Sequence, residues 1–223
     1  MKAMKLSLVA AVAAVSLSAG DIADITSNLK VSGDATFTTN GIWRGQTFTH
    51  ETPTVQSTLT VEHSSGAYVS VWGTGNSAGS EIDFSLGYAT EVSGVGIDAG
   101  FVDMSYTHPD RKKSAVWKFD ESGEIYVSAS KTAMDIDFGA TIYQEILADD
   151  DSTVLEASAS KDFGVVYANV TAGYHVDDNY HNYYSLTVGK AIEAIKGDVS
   201  LTAADATGDG EDMQYAVSYT TSF

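Results

Sequence analysis

The stretch MQYAVSYTTSF, residues 213–223, alternates apolar and polar side chains to its last residue. Tyr215, Val217, Tyr219 and Phe223 share one face of an extended chain; Gln214, Ala216, Ser218, Thr220 and Ser222 share the other. Successive side chains of a strand point to opposite faces, so a period of two marks a strand with one apolar side. Chain ends fray in water unless something ties them down. A strand that keeps its pattern up to a terminal aromatic is therefore expected to be paired along its length and to rest its ring against something other than water. A closed sheet in a membrane supplies both conditions: the last strand pairs with the first, and aromatic rings collect at headgroup level.

The same period recurs upstream. Val55, Leu59 and Val61 alternate with Gln56, Thr58 and Thr60; Ile82, Phe84, Leu86 and Tyr88 alternate with Asp83, Ser85, Gly87 and Ala89; Ile136, Phe138, Ala140 and Ile142 alternate with Asp137, Gly139, Thr141 and Tyr143. The pattern predicts about twelve strands, at 29–40, 54–63, 67–74, 81–91, 96–106, 123–131, 134–145, 153–161, 164–176, 182–190, 197–205 and 212–223. Most match the roughly 9–11 residues of a tilted membrane strand. The links sort into two classes. Ser64-Ser65-Gly66, Val92 to Val95, Thr132-Ala133, Asp162-Phe163 and Ala191 to Lys196 are tight, whereas 41–53, 75–80, 107–122, 146–152, 177–181 and 206–211 are longer and mostly acidic. Alternate links of an up-and-down barrel emerge on opposite sides, and short turns opposite long loops is the outer-membrane arrangement. The fold class predicted is an all-β, transmembrane, up-and-down antiparallel β-barrel in the cell outer membrane.

Composition narrows the function. The chain of 223 residues opens with Lys2 and Lys5, an apolar run from Leu6 to Val15, then small residues to Gly20, the form of a secretory signal peptide over 1–20, with the barrel domain over 21–223. No later segment approaches the roughly 18 consecutive apolar residues of a helical span. The chain has no cysteine, which excludes disulfides and thiolate metal sites. Its 12 basic residues face 30 acidic ones, a net charge of −18, which repels nucleic acid and attracts cations.

Three stretches carry a family likeness: TTNGIWRGQTF (38–48) with Trp43-Arg44-Gly45, VEHSSGAYVSVWGTG (61–75) with a hairpin at Ser64-Ser65-Gly66 followed by Tyr68 and Trp72, and EIDFSLGYATEV (81–92). Their order and spacing resemble the bacterial TorF-type porin family, whose domain is termed Gcw_chp. The resemblance spans essentially the whole exported chain and implies an outer-membrane barrel of undefined solute. The alternation ending at Phe223 likewise resembles the C-terminal signal read by the bacterial barrel-assembly machinery, although Thr221 departs from it.

In a membrane barrel the apolar face meets lipid and the polar face lines the bore. The residues expected to line the bore are Asp34, Arg44, Glu81, Asp83, Glu124, Asp135, Asp137 and Glu156, among small neighbours such as Thr36, Thr58, Ser85, Ser128 and Thr187. Twelve strands filled with small polar side chains would enclose water. An acidic bore concentrates cations and excludes anions. Arg44 stands out: it either pairs with carboxylates of the bore and fixes an inward loop, or it lies at the rim against headgroups or a nearby acid. Acidic loops at Asp149-Asp150-Asp151, Asp177-Asp178 and DATGDGED (205–212) could hold divalent ions or bridge lipopolysaccharide, but DATGDGED lacks the spacing of a helix-loop-helix calcium site, and solvated loops are the simpler reading. Catalysis is not expected: no Gly-x-Ser-x-Gly is present among abundant serines, and His175 with Asn169 on one strand face is a commonplace arrangement. No cofactor motif is present. The expected function is passive diffusion of small solutes or ions, cations favoured. The alternatives are a non-conducting anchor or adhesin acting through its loops and a soluble periplasmic ligand-binding barrel, which would need an oily interior.

Overall fold

A computed structural model describes residues 28–76, 79–107, 122–148, 152–176, 181–208 and 212–223. The expected leader, Asp149-Asp150-Asp151, Asp177-Asp178 and the centre of DATGDGED lie outside these residues. The strands are β1 (Leu29–Thr38), β2 (Ile42–Trp43), β3 (Gln46–Thr47), β4 (Thr54–His63), β5 (Ala67–Asn76), β6 (Gly79–Val92), β7 (Val95–Thr107), β8 (Ser122–Ala133), β9 (Ile136–Glu145), β10 (Thr153–Asp162), β11 (Tyr167–His175), β12 (Tyr183–Ile192), β13 (Gly197–Ala206) and β14 (Gln214–Ser222). All but β2 and β3 form one closed antiparallel barrel in which neighbours in sequence pair and β1 joins β14. That is the barrel expected from the period of two.

Closure runs through residues 213–223. Phe37 pairs with Tyr219 and Asp34 with Ser222, and the Gly33 and Phe223 backbones exchange reciprocal N–H···O bonds of 3.0 Å. The final residue is thus bonded into the ladder, with its ring lying over Gly33.

The register fixes every face. Val31, Phe37, Leu59, Leu86, Val127, Ile142, Val170, Leu186, Leu201 and Val217 point outward, and Val55, Leu86 and Val127 are more than half exposed at 56%, 57% and 57%. An unbroken apolar band around the whole barrel far exceeds the few hundred Å² of apolar patch that a water-soluble surface carries. Hydrocarbon is the solvent that such a surface requires. The buried side chains are mostly polar and point inward, among them Thr38, Thr58, Ser70, Ser85, Glu124 and Ser128. Asp103 and Ser105 depart from the rule: they face outward at the loop end yet are buried, and the Ser105 hydroxyl donates to Asp103 at 2.8 Å.

Two turns fall later than the sequence suggests. The β8–β9 turn is Met134-Asp135, both left-handed at φ 53° and 56°, rather than Thr132-Ala133. Positive φ at both central residues makes the primed turn that matches strand twist, and here Asp135 fills a position usually given to glycine or asparagine. The next turn spans Phe163 to Val166, closed by a bond of 2.9 Å from the Phe163 N–H to the Val166 carbonyl, so β11 begins at Tyr167 rather than near 164. The expected link at 75–80 is also shorter, because β5 runs to Asn76 and β6 starts at Gly79.

A charge on the outward face should be expelled by lipid where the adjacent inward position tolerates it. Leu186→Arg is expected to cost about 2–4 kcal/mol of folding free energy in phospholipid vesicles. Ser185→Arg should stay near the parent. Urea titrations of the folded barrel followed by tryptophan fluorescence check both.

Candidate functional site

The link between β1 and β4 does not stay at the rim. Asn40 anchors it: its Oδ1 accepts the hydroxyls of Thr47 (2.6 Å) and Thr49 (3.1 Å), and its amide donates to Gln214 on β14 at 3.1 Å. The Gly41 N–H donates to the Thr49 hydroxyl at 2.8 Å, and the Phe48 N–H to the Gly41 carbonyl at 2.9 Å. These bonds close β2 and β3 into a small hairpin whose tip is Arg44-Gly45. Both tip residues are left-handed, at φ 48° and 84°, the requirement of a two-residue primed turn. Gly45 is also seated against the Asp205 carbonyl and the Tyr183 side chain, where a Cβ would collide. This is why glycine follows arginine in Trp43-Arg44-Gly45.

Arg44 reaches β8, nearly opposite β1 in the closed strand order. Its Nη1 donates to Glu124 Oε1 at 2.7 Å and its Nη2 to Oε2 at 2.8 Å, a two-pronged pair with side-chain exposures of only 11% and 6%. The planar guanidinium lies 4.4 Å from the Trp43 ring centre and 5.0 Å from that of Tyr143. Only arginine combines the fork with a flat face for stacking. Of the two readings of Arg44, the structure has the inward one: it straps a hairpin across the bore.

The wall behind Glu124 is braced by its register partner Glu145. Glu145 Oε1 accepts the N–H groups of Gly123 (2.8 Å), Ile146 (3.1 Å), Leu147 (2.9 Å) and Ala148 (3.0 Å), and Oε2 accepts the Ser122 hydroxyl at 2.7 Å. Two adjacent carboxylates thereby avoid facing each other unpaired. One meets a guanidinium, the other a ring of amides.

The structure brings Arg44, Glu81, Asp83, Glu124 and Glu156 into the loop half of the bore. Asp34 and Asp137 also point inward but sit nearer the turns, where they accept hydroxyls of Thr58 (3.3 Å) and Thr132 (2.6 Å). Asp135 does not line the bore, because the turn claims it.

The interior is also less uniformly small than expected. Tyr68, Trp72, Tyr106, Tyr126, Tyr143, Tyr167 and Tyr183 all face inward. Tyrosine hydroxyls donate to inward carboxylates: Tyr68 to Asp98 (2.8 Å), Tyr167 to Asp198 (2.7 Å) and Tyr183 to Glu156 (2.6 Å), while Tyr68 and Tyr126 are hydroxyl to hydroxyl. Four of these rings lie over a glycine directly opposite in register: Tyr68 over Gly87, Tyr126 over Gly100, Tyr167 over Gly189 and Tyr183 over Gly173. Aromatic cover over a strand glycine restores the packing that the missing side chain forfeits. Parity was the available signal, since Tyr68 and Trp72 alternate in step with Ser70 and Thr74.

A closed barrel with an apolar exterior, an acid- and tyrosine-lined interior and an inward hairpin is a porin-like membrane barrel. The chain belongs to the family described as a bacterial protein of unknown function (Gcw_chp), whose model matches residues 22–221. That bears out the Gcw_chp part of the resemblance; the family description carries no TorF designation. Among solved structures, a KdgM porin superposes with a TM-score of 0.61 at 10% identity, over 86% of this chain and 99% of that one. A second KdgM structure, in complex with disordered oligogalacturonate, matches equally, and a NanC porin gives 0.51 at 11% identity over 86% and 98%. At such identities the likeness is one of fold. No curated protein matches the chain.

The strap is testable as a pair. In a double-mutant cycle of Arg44→Ala and Glu124→Ala, the coupling should be about 0.5–3 kcal/mol. Arg44→Ala should also free the hairpin for protease cleavage between Gly41 and Phe48, measured by limited digestion of the folded barrel.

Proposed function

We propose that the protein is an outer-membrane porin through which small solutes and ions diffuse passively, with cations favoured. The observation that carries this reading is the sign of the bore. Asp34, Glu62, Asp83, Asp98, Asp137, Glu156 and Asp198 project inward from all around the barrel, whereas the inward lysine and arginine side chains among the described residues are Lys30 and the already paired Arg44. Fixed negative charge within low-dielectric walls raises local cation concentration and repels anions. An acidic sugar chain such as the oligogalacturonate of the KdgM complex is a poor passenger for such a bore. The hairpin narrows the path at the loop half, so selection falls on solutes small enough to pass beside it. In this reading the short turns face the periplasm and the long loops the exterior. Lys131, Lys161 and Lys190, which point outward near the turn end, then meet phospholipid headgroups, with their aliphatic stems along the apolar band. The tyrosines hold the carboxylates of the wall in place, and no step of the proposed passage calls on catalysis.

Reconstitution into a planar bilayer under a potassium chloride gradient tests this. Discrete conductance steps with a cation-side reversal potential are expected. Asp34→Asn with Asp137→Asn should move that potential toward zero. Raising salt to about 1 M, where the Debye length is near 3 Å, should do the same in the parent. Silence at high protein load overturns the porin and favours an anchor that works through its loops.

A further inference from the structure

Between the hairpin and the wall formed by β4 to β7 lies a cavity of about 360 Å³. That is within the size of a small-molecule pocket. Trp43 and Phe48 enter it from the hairpin, and Trp72, Tyr106, Glu81 and Asp83 from the wall. Phe48 meets Trp72 edge to face, with ring centres 6.3 Å apart and planes at 73°, so the hairpin side of the pocket is held against the strand side. Glu81 and Tyr106 are register partners, as are Asp83 and Trp72, which sets each carboxylate beside an aromatic ring. Asp83 Oδ1 is buried without a hydrogen-bond partner. The pocket lining contains no basic side chain.

We propose that this cavity is a binding site for small organic cations, primary or quaternary ammonium compounds, on their way through the bore. The proposal rests on the bore being a cation-favouring path and names what that path selects. Two carboxylates among aromatic faces ask for positive charge on an apolar body. A ring face attracts a cation by about 0.5–2 kcal/mol, more as water is excluded. The apolar walls of Ile42 and Met104 reward alkyl groups that a bare metal ion lacks. Arg44, the residue after Trp43, already displays this chemistry, with its guanidinium stacked on the Trp43 ring and paired to a carboxylate. A free ammonium compound in the cavity would find the same two kinds of partner in Trp43, Trp72, Glu81 and Asp83.

Two of the chain's three tryptophans line the cavity, so occupancy is visible in fluorescence without any current. The experiment titrates purified protein in detergent with choline and tetraethylammonium, with glucose as the neutral control. It then repeats the titration as block of potassium current in bilayers. Saturable quenching by both cations and not by glucose is expected, with block at similar concentrations. Asp83→Asn and Trp72→Ala should each raise the half-effective concentration on the order of 3–30-fold. Trp72→Phe, which keeps a ring against Phe48, should change it less than threefold and separates loss of the ring face from loss of the hairpin's seat. Equal quenching by glucose, or conducting channels that neither ammonium ion quenches nor blocks, overturns the site while leaving the porin standing. Saturable quenching by the cations in protein that never conducts supports the site and overturns the path.

Discussion

Inside hydrocarbon a backbone N–H has no water to donate to, so every strand must find a neighbour on both sides. Everything else in this molecule follows from that demand. The sheet has to close, and it closes where β1 meets β14, carried to the last residue by the paired Gly33 and Phe223 backbones. Once closed, the register leaves no freedom about faces. A slip of one residue would turn Leu186 and Val188 into the bore and Ser185 and Thr187 out to lipid, so the alternation and the ladder specify each other.

That division sends nearly all polar chemistry to one place. With the exterior committed to lipid, the carboxylates of the strands crowd a shared interior, and the barrel must keep them apart or supply donors. It does both by simple means. Tyrosines hand hydroxyl hydrogens to Asp98, Asp198 and Glu156; backbone amides surround Glu145; a single guanidinium engages Glu124. The inward hairpin belongs to this scheme. It carries a positive charge among the carboxylates of the loop half of the bore and so finds its own anchor, and the left-handed pair Arg44-Gly45 is the backbone cost of delivering that charge at a tip.

The fold was largely legible because a period of two is a local signal and each strand announces itself. Turns were less so wherever chemistry other than glycine makes them. Met134-Asp135 hides a primed turn behind an apolar residue that continues the strand's rhythm, which displaced both the turn and the role expected of Asp135. Glu81, Asp83, Glu124 and Glu156 could be placed on the bore by parity alone. Their grouping around a hairpin could not, since it depends on a loop folding back across the barrel, and no periodicity encodes that. Trp43-Arg44-Gly45 stood out as a motif; that its arginine finds Glu124 eighty positions later is long-range information that a single chain does not display.

The glycine and tyrosine pairs have a consequence for how such a channel changes calibre over evolutionary time. Each ring lies flat because the residue across from it has no side chain. One added methyl at Gly87, Gly100, Gly173 or Gly189 would tip its plate off the wall and into the passage, leaving the hydrogen-bonded cylinder intact. Aperture and scaffold are thus set by different residues. A lineage can retune the width of the bore one small substitution at a time, without rebuilding the barrel around it.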